Sequence, residues 1–223
     1  MRFILATGWE DGVAGLTQRL VSALAEGKRV LWLVSGGSNI DAAVDVMDTI
    51  TPRLSQGLSI LLADERFGQE GHSDSNWTNL MKAGFKPKRA LLLPVLCGKN
   101  TLEEALAHYR DIVRKAYAEH DVIVVQLGMG VDGHIAGILP NSAAAKEKKE
   151  LVVSYKSNPY TRLTLTFPAL KRAHHAYVFA FGDTKAQALF DLHNKRLSLL
   201  KQPAQILKRL QDVSVYNDQL GDD

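Results

Sequence analysis

The chain has 223 residues, of which 46% are hydrophobic, and its 27 basic and 24 acidic side chains leave a net charge of +3. This length and composition are enough to bury one sizeable core, so we expect residues 1–223 to form a single α/β domain. The small positive charge does not favour a nucleic-acid partner. Cys97 is the only cysteine, which excludes an internal disulfide and fits a reducing compartment.

The first twelve residues, MRFILATGWEDG, carry too short an apolar run for a signal peptide. No stretch of the sequence approaches the roughly 18 to 20 apolar residues that are needed to span a bilayer. We therefore expect a cytoplasmic protein with no membrane partner. The sequence does not fix the oligomeric state, for which we expect a monomer or a weak homodimer.

Seven short apolar runs rich in β-branched residues predict strands. Several of them are apolar on both faces, which is typical of parallel strands covered by helices on both sides. The runs lie at residues 30–34, 58–63, 90–95, 122–127, 151–153, 163–167 and 177–181.

Segments with helical spacing lie between these runs. An apolar stripe predicts a helix over residues 39–50, and another helix is expected over 183–200. Thr101 and Glu104 have the spacing of a capping box, which predicts the start of a further helix. The alternation predicts an α/β fold with a doubly wound, mostly parallel sheet and helices on both faces, a Rossmann-like architecture.

Three polar segments follow predicted strands directly, at residues 35–38, 64–66 and 128–134. In a doubly wound sheet, ligands bind at the carboxyl ends of the strands, near the point where the strand order reverses. The sequence therefore predicts that these three segments meet in one site.

The first segment, Ser-Gly-Gly-Ser, is a tight turn from a strand into a helix. Its glycines, Gly36 and Gly37, and the hydroxyl of Ser38 are suited to holding a phosphate at a helix N-terminus. A plain turn whose Ser38 or Asn39 caps the helix explains the motif equally well. The segment matches neither the G-x-G-x-x-G nor the Walker pattern, so no nucleotide is indicated.

The second segment, Asp64-Glu65-Arg66, places a guanidinium fork at a strand end, where it could bind a phosphate or carboxylate. The two acids could instead orient basic neighbours. Taken alone, the segment is better explained as an ion-pair cluster on a surface loop.

The third segment contains Asp132 and His134 in a glycine-rich loop. Histidine titrates near neutral pH and can take a proton from water during attack on an ester carbonyl, and a nearby carboxylate can fix its tautomer. The alternative is a histidine that only satisfies backbone groups at a turn. The position after a buried strand favours the catalytic interpretation.

Arg162, before an alternating strand, and Lys185, at a predicted helix start, are two further candidates for binding an anion. A lone Lys or Arg is more often a solvated surface charge. The remaining histidines do not have the spacing of metal ligands, so no metal is expected.

In order, these segments resemble the 6-phosphogluconolactonase family, which is related to the glucosamine-6-phosphate isomerases (deaminases). Each motif is common, but the ordered set is specific and covers most of the chain. The matching motifs are SGGS at 35–38, DER at 64–66, DSN at 74–76, LGMGVDGH at 127–134, RLTLT at 162–166, GDTKAQAL at 182–189, QPAQIL at 202–207 and VYND at 215–218.

The resemblance implies a hydrolase of the oxidative pentose phosphate pathway that converts 6-phospho-D-glucono-1,5-lactone to 6-phosphogluconate without a cofactor. It implies that His134 is the general base that activates water and that Asp132 orients or tunes it. Which cation contacts the phosphate stays open. The implied substrate-binding residues are Gly36, Gly37, Ser38, Arg66, Arg162 and Lys185.

Two departures from the family pattern stand out. Asn39-Ile40 occupies the place of the usual Thr-Pro, and residues 135–139 differ from the usual Thr-Ala-Ser-Leu-Phe. The deaminase branch resembles this chain at residues 134–136, but it has a glutamate where Leu139 stands and tends to have a tyrosine where Arg66 stands. Both differences favour lactone hydrolysis.

A noncatalytic sugar-phosphate sensor is the second alternative. Such a protein would carry a DNA-binding element, and no helix-turn-helix pattern is recognisable before Val30. The presence of both Asp132 and His134 also favours catalysis over sensing.

Overall fold

A computed structural model describes residues 1–98 and 101–221. The strands are β1 (Arg2–Leu5), β2 (Val30–Val34), β3 (Leu58–Leu62), β4 (Asp64–Arg66), β5 (Leu91–Leu93), β6 (Val122–Gly128), β7 (Val152–Ser157), β8 (Tyr160–Leu165), β9 (His175–Ala180) and β10 (Asp212–Asn217). The α-helices are α1 (Glu10–Ala25), α2 (Ile40–Thr49), α3 (Asn76–Lys82), α4 (Leu102–Glu119), α5 (Ala143–Lys146), α6 (Phe167–Leu170) and α7 (Ala186–Asn194). Short 3-10 turns lie at Gly37–Asn39, Leu54–Gly57, Asp183–Lys185 and Pro203–Arg209.

Seven strands form one parallel sheet in the order β1-β10-β9-β6-β2-β3-β5. From β2 the chain moves outward through β3 to β5, and it then returns to place β6 on the other side of β2. The strand order therefore reverses between β2 and β6. The predicted α/β fold, with a mostly parallel sheet flanked by helices, is confirmed.

Burial explains why β2 is apolar throughout and why β3 is apolar at every position except Ser59. Every residue of β2 is fully buried, and β3 is buried along its whole length. Such strands have no solvent-facing side, so their side chains do not alternate between apolar and polar.

A second, three-stranded sheet has the order β4-β8-β7, and both of its pairings are antiparallel. The strands expected near residues 151–153 and 163–167 belong to this sheet as a hairpin and are not part of the main sheet. Asp64 pairs with Thr164, and Arg66 pairs with Arg162. The small sheet thus brings the second polar segment next to Arg162.

The helix expected over residues 183–200 is shorter than predicted. A 3-10 turn at Asp183–Lys185 leads into α7, which ends at Asn194. Side chains of the Pro203–Arg209 turn bind the carbonyl groups near this end: Gln205 Nε2 donates to Asp191 O at 3.0 Å, and Lys208 Nζ donates to Lys195 O. The first of these bonds adds a second donor to Asp191 O, which also accepts from Lys195 N at 3.0 Å, and the second satisfies a carbonyl group just beyond the helix.

No prediction covered β1, α1 or β10, although β1 and β10 form one end of the main sheet. Within the described part of the chain, no helix is both long and apolar enough to cross a membrane.

The predicted capping box at the start of α4 is confirmed. The Thr101 hydroxyl accepts a hydrogen bond from Glu104 N, and the Glu104 carboxylate accepts one from Thr101 N, both at 3.2 Å. This exchange satisfies two backbone donors that a helix start otherwise leaves to water.

We expect Thr101→Ala to lower the free energy of unfolding by about 1 kcal/mol, because it removes the side-chain acceptor of the cap. Urea denaturation measures the change, and Thr101→Ser, which keeps the hydroxyl, is the matched control. An unchanged unfolding midpoint for Thr101→Ala would show that the cap does not stabilise the helix.

Candidate active site

A cleft of about 280 Å³ lies at the carboxyl ends of β2 and β6, where the strand order reverses. The three polar segments singled out in the sequence meet there. Of the eight predicted site residues, seven line the cleft: Gly36, Gly37, Ser38, Arg66, His134, Arg162 and Lys185. The eighth, Asp132, contacts His134 and does not itself line the cleft.

Asp132 fixes the ring of His134. Its Oδ1 lies 2.6 Å from His134 Nδ1 and 3.1 Å from the backbone nitrogen of the same residue. Burial by itself raises the pKa of the Asp132 carboxyl, but the hydrogen bonds and charge of His134 outweigh it and leave that pKa below its usual value. An ionised carboxylate only accepts hydrogen bonds, so Nδ1 is the donor in this contact, and the neutral form of the ring has its lone pair on Nε2.

Gly130 leaves the space that this ring occupies. A Cβ at position 130 would overlap the His134 ring and lie 2.7 Å from Asp132 Oδ1. The loop is closed by hydrogen bonds from Gly130 N to His134 O and from Gly133 N to Gly130 O, both 2.9 Å. Only a glycine at this position lets the loop fold back on its histidine.

The backbone after His134 is tied to the small sheet. Ala136 lines the cleft with a φ of 48°, in the left-handed region that is unusual for a residue with a Cβ. The next amide, Gly137 N, donates to the Thr164 hydroxyl on β8 at 3.0 Å, and Tyr155 on β7 donates to Gly137 O. These bonds fix the strained residue beside the cleft.

The turn after β2 has a backbone that requires its glycines. Gly37 has a φ of 67°, and a Cβ at Gly36 would overlap the side-chain amide of Asn76. Asn76 is held in turn by its Nδ2, which donates to Asp64 O at 2.9 Å. The segment therefore packs its backbone directly against Asn76, a residue of the DSN motif.

Asp64 and Glu65 have separate roles because neighbouring residues of a strand point to opposite faces. The buried Glu65 carboxylate accepts hydrogen bonds from Arg66 N, Ser75 Oγ, Asn76 N and Trp77 N, at 2.7 to 3.1 Å. Burial raises its pKa, and these donors offset part of the rise. Glu65 thus anchors the start of α3 and does not face the cleft.

Asp64 points to the cleft and lies 3.7 Å from a guanidinium nitrogen of Arg162. Its side chain is only 6% exposed, and burial raises its pKa while the charges of Arg66, Arg162 and His134 offset part of that rise. Among the described residues that line the cleft, Asp64 is the only carboxylate. Three cationic side chains line the same cleft: Arg66, Arg162 and Lys185.

Lys185 enters the cleft from the turn after β9. Gly182, with a φ of 96°, begins this turn, and its amide donates to the carboxylate of Asp218 at 2.9 Å. Burial raises the pKa of Asp218, but hydrogen bonds from the Gly182 amide, the Gln219 side chain and its own backbone together outweigh burial and leave that pKa below its usual value. Asp218 of the VYND motif therefore holds the turn that begins the GDTKAQAL motif. No carboxylate in residues 1–98 or 101–221 forms an ion pair with Lys185.

Several residues that line the cleft were not predicted as site residues. Three of them carry buried polar atoms that have no hydrogen-bond partner among the described residues: Ser35 Oγ, Asn39 Oδ1 and Asn76 Oδ1. Buried polar atoms without a partner are uncommon in folded proteins. All three lie in or next to motifs that the sequence analysis quoted, but their burial could not be predicted. The other unpredicted residues of the cleft are Asp64, Gly128, Met129, Gly130 and Ala136.

The histidines outside the cleft have structural partners. His174 Nδ1 accepts a hydrogen bond from Ile123 N at 2.9 Å, and His175 lies 2.9 Å from Asp212. In the described ranges, no group of three or more His, Cys, Asp or Glu side chains is arranged to hold a metal ion.

Comparison with known proteins agrees with the resemblance. A model of the family described as glucosamine-6-phosphate isomerases/6-phosphogluconolactonase matches residues 9–215. The 6-phosphogluconolactonase of Pseudomonas aeruginosa is 31% identical to this chain, and the match covers 82% of the chain and 79% of that protein. A probable 6-phosphogluconolactonase 1 of Arabidopsis thaliana is also 31% identical, but its match covers 58% of this chain and 54% of the plant protein.

The crystal structure of a 6-phosphogluconolactonase from Shewanella baltica has the same fold. It superimposes with a TM-score of 0.81 at 22% identity, and the match covers 97% of both chains. The match of the family model to nearly the whole chain, together with the Pseudomonas relative, decides the family. This chain belongs to the glucosamine-6-phosphate isomerase/6-phosphogluconolactonase family.

Proposed function

We propose that this protein is a 6-phosphogluconolactonase, which hydrolyses 6-phospho-D-glucono-1,5-lactone to 6-phosphogluconate. The observation that carries the proposal is that a carboxylate-bound imidazole and three cationic side chains face one small cleft. The imidazole is suited to activating water, and the cations are suited to a phosphate. A phosphorylated lactone has an ester at one end, on which the imidazole can act, and a phosphate at the other end, which the cations can bind.

In the proposed reaction, His134 Nε2 takes a proton from a water molecule whose oxygen attacks the lactone carbonyl carbon. Asp132 stabilises the resulting imidazolium through Nδ1. The tetrahedral intermediate then collapses with cleavage of the bond between that carbon and the ring oxygen. The imidazolium returns its proton to the departing ring oxygen, so His134 ends the cycle neutral and the product carries a free hydroxyl and a carboxylic acid. The acid then loses its proton to solvent and leaves as the carboxylate.

The phosphate is assigned to Arg66, Arg162 and Lys185. The two arginines lie opposite each other in the small sheet, and guanidinium groups bind phosphate oxygens through parallel hydrogen bonds. The three cations are assigned to the phosphate as a group, and the proposal does not divide the phosphate oxygens among them.

The deaminase activity found in the same family is the second candidate. In that branch a glutamate stands where this chain has Leu139, and Leu139 is not among the residues that line the cleft. Leucine cannot move a proton during sugar ring opening. The cleft therefore supports ester hydrolysis better than isomerisation.

We further propose that residues 1–223 form one domain that acts in the cytoplasm as a monomer or weak homodimer, without a nucleic-acid or membrane partner. The pairing of β1 with β10 in one sheet supports a single domain, because these strands are far apart in sequence. The net charge of +3 supports the absence of a nucleic-acid partner.

The proposal is tested by a lactonase assay with freshly generated 6-phosphogluconolactone, corrected for spontaneous hydrolysis. We expect turnover well above the spontaneous rate and no release of ammonia from glucosamine 6-phosphate in a parallel assay. Deamination without lactone hydrolysis would replace the proposal with the second candidate, and activity on neither substrate would favour a sensor.

We expect His134→Ala to reduce kcat by about 10²- to 10⁴-fold, the usual contribution of a general base. KM should change little, because the imidazole acts on water and not on the phosphate. His108→Ala is the matched control, since His108 contacts Pro94 O and does not line the cleft. Circular dichroism checks that both variants fold, and a folded His134→Ala protein with near-normal kcat would refute the base assignment.

We expect Arg66→Ala to raise KM for the phosphorylated lactone by about 10- to 100-fold, since a hydrogen bond to a charged group contributes about 1.5–3 kcal/mol. The kcat/KM for unphosphorylated glucono-1,5-lactone should stay within about twofold, because that substrate has no phosphate. The control is Arg114→Ala, which removes an exposed arginine paired with Asp111. Equal losses on both lactones would show that Arg66 does not bind the phosphate.

A further inference from the structure

One face of the small sheet collects most of the charge of the site. Side chains two residues apart on a strand share a face, so Tyr160, Arg162 and Thr164 of β8 lie on one side. Asp64 and Arg66 of β4 lie on the same side, opposite Thr164 and Arg162 respectively. The face therefore has Asp64 and Thr164 in one row, Arg66, Arg162 and Tyr155 of β7 in the next, and Tyr160 beyond them.

The two arginines present like charges at directly opposed positions, an arrangement that destabilises a sheet. Each has one hydrogen bond that points away from the other: Arg66 Nη1 donates to Asp74 O at 2.9 Å, and Arg162 Nε donates to Ser157 Oγ at 2.8 Å. The one nearby carboxylate, Asp64, lies 3.7 Å from Arg162. These contacts leave a net positive charge on the pair.

The ring of Tyr160 contacts both guanidinium groups. The Cζ of Arg66 lies 5.3 Å from the ring centroid and the Cζ of Arg162 lies 5.8 Å from it. A cation within about 6 Å of an aromatic face is attracted by the negative potential of the ring. Tyr160 thus attracts both charges that repel each other.

Tyr160 itself is half-buried and is not among the residues that line the cleft, whereas both arginines are. Its effect on a bound molecule therefore acts through the guanidinium groups. Arg66 Nε is buried and has no partner among the described residues, so the contacts that hold this guanidinium are the hydrogen bond to Asp74 O and the ring of Tyr160. A group held in its bound geometry loses less entropy on binding.

We propose that Tyr160 is a positioning residue that holds Arg66 and Arg162 together as a preformed clamp for the phosphate of the substrate. The inference rests on the proposed function for the identity of the ligand, but its physical content is anion binding by the two arginines. The clamp requires the face of an aromatic ring at position 160 and does not require the tyrosine hydroxyl.

The test compares Tyr160→Leu, which keeps apolar bulk but removes the aromatic face, with Tyr160→Phe, which removes only the hydroxyl. We expect Tyr160→Leu to raise KM for 6-phosphogluconolactone by about tenfold, the loss expected from two cation–π contacts of about 0.5–1 kcal/mol each. Its kcat should stay within about twofold of the wild type, as should kcat/KM for glucono-1,5-lactone. Tyr160→Phe should match the wild type in all three measurements.

Three results would overturn the inference. They are an unchanged KM for Tyr160→Leu, an equal loss on both lactones, and a Tyr160→Phe protein as impaired as Tyr160→Leu. If Tyr160→Leu does not fold, Tyr160→Trp is used in its place, since the larger π-face should keep or lower the wild-type KM. A raised KM for a folded Tyr160→Trp protein on the phosphorylated lactone alone would also count against the clamp.

Calorimetric titration with 6-phosphogluconate separates this inference from the proposed function. If the wild type shows no lactonase activity but binds 6-phosphogluconate about tenfold more tightly than Tyr160→Leu, the proposed function fails and the clamp stands. If the wild type is an active lactonase and all the variants bind 6-phosphogluconate equally, the clamp fails and the proposed function stands.

Discussion

The reversal of strand order between β2 and β6 is the constraint on which the site depends. Because the chain leaves these two neighbouring strands in opposite directions, the segments at their carboxyl ends separate and leave a cleft between them. The buried Gln126 side chain of β6 donates to Asn39 O at 2.9 Å. Gly128 has no Cβ, and a Cβ there would overlap the Asn39 amide. The floor of the cleft is therefore a tightly fitted contact between the turn after β2 and the end of β6.

The second constraint is electrostatic. Arg66, Arg162 and Lys185 converge on a cleft where Asp64 is the only lining carboxylate in the described part of the chain. Bringing like charges together costs stability unless a counterion is present. The neighbouring Glu65 does not provide that counterion, because its carboxylate is used by the start of α3. An anionic ligand supplies the missing charge, so the imbalance itself favours binding of a phosphate.

The location of the site could be predicted from the sequence because its motifs follow apolar strands directly. Gly36, His134 and Arg66 each lie two to seven residues beyond a buried run, so the period and order of the strands were enough to bring them together. The small sheet could not be predicted in this way. Its β4–β8 pairing joins residues about a hundred positions apart, and no local pattern specifies such a partner.

Two further differences between the sequence prediction and the structure concern helices. Helix α1 contains Gly12 and Gly15, which lower its helix propensity, yet both are required because a Cβ at either would meet aromatic side chains of the sheet, Phe179 or Tyr216. The predicted helix over 183–200 was too long because the backbone becomes extended at Lys195, whose carbonyl group accepts a hydrogen bond from Lys208 of the Pro203–Arg209 turn. In both cases tertiary packing outweighs the local signal.

The two sheets also divide the proposed reaction between them. The main sheet carries the loop with His134, while the small sheet carries both arginines, so the spacing between base and phosphate clamp depends on how the sheets are joined. The joint is Gly137, whose amide donates to Thr164 of β8. A Cβ at position 137 would lie 2.7 Å from the Thr164 Cβ. Since Thr164 and Arg162 share one face of the same strand, the register that places the arginine also positions the histidine loop.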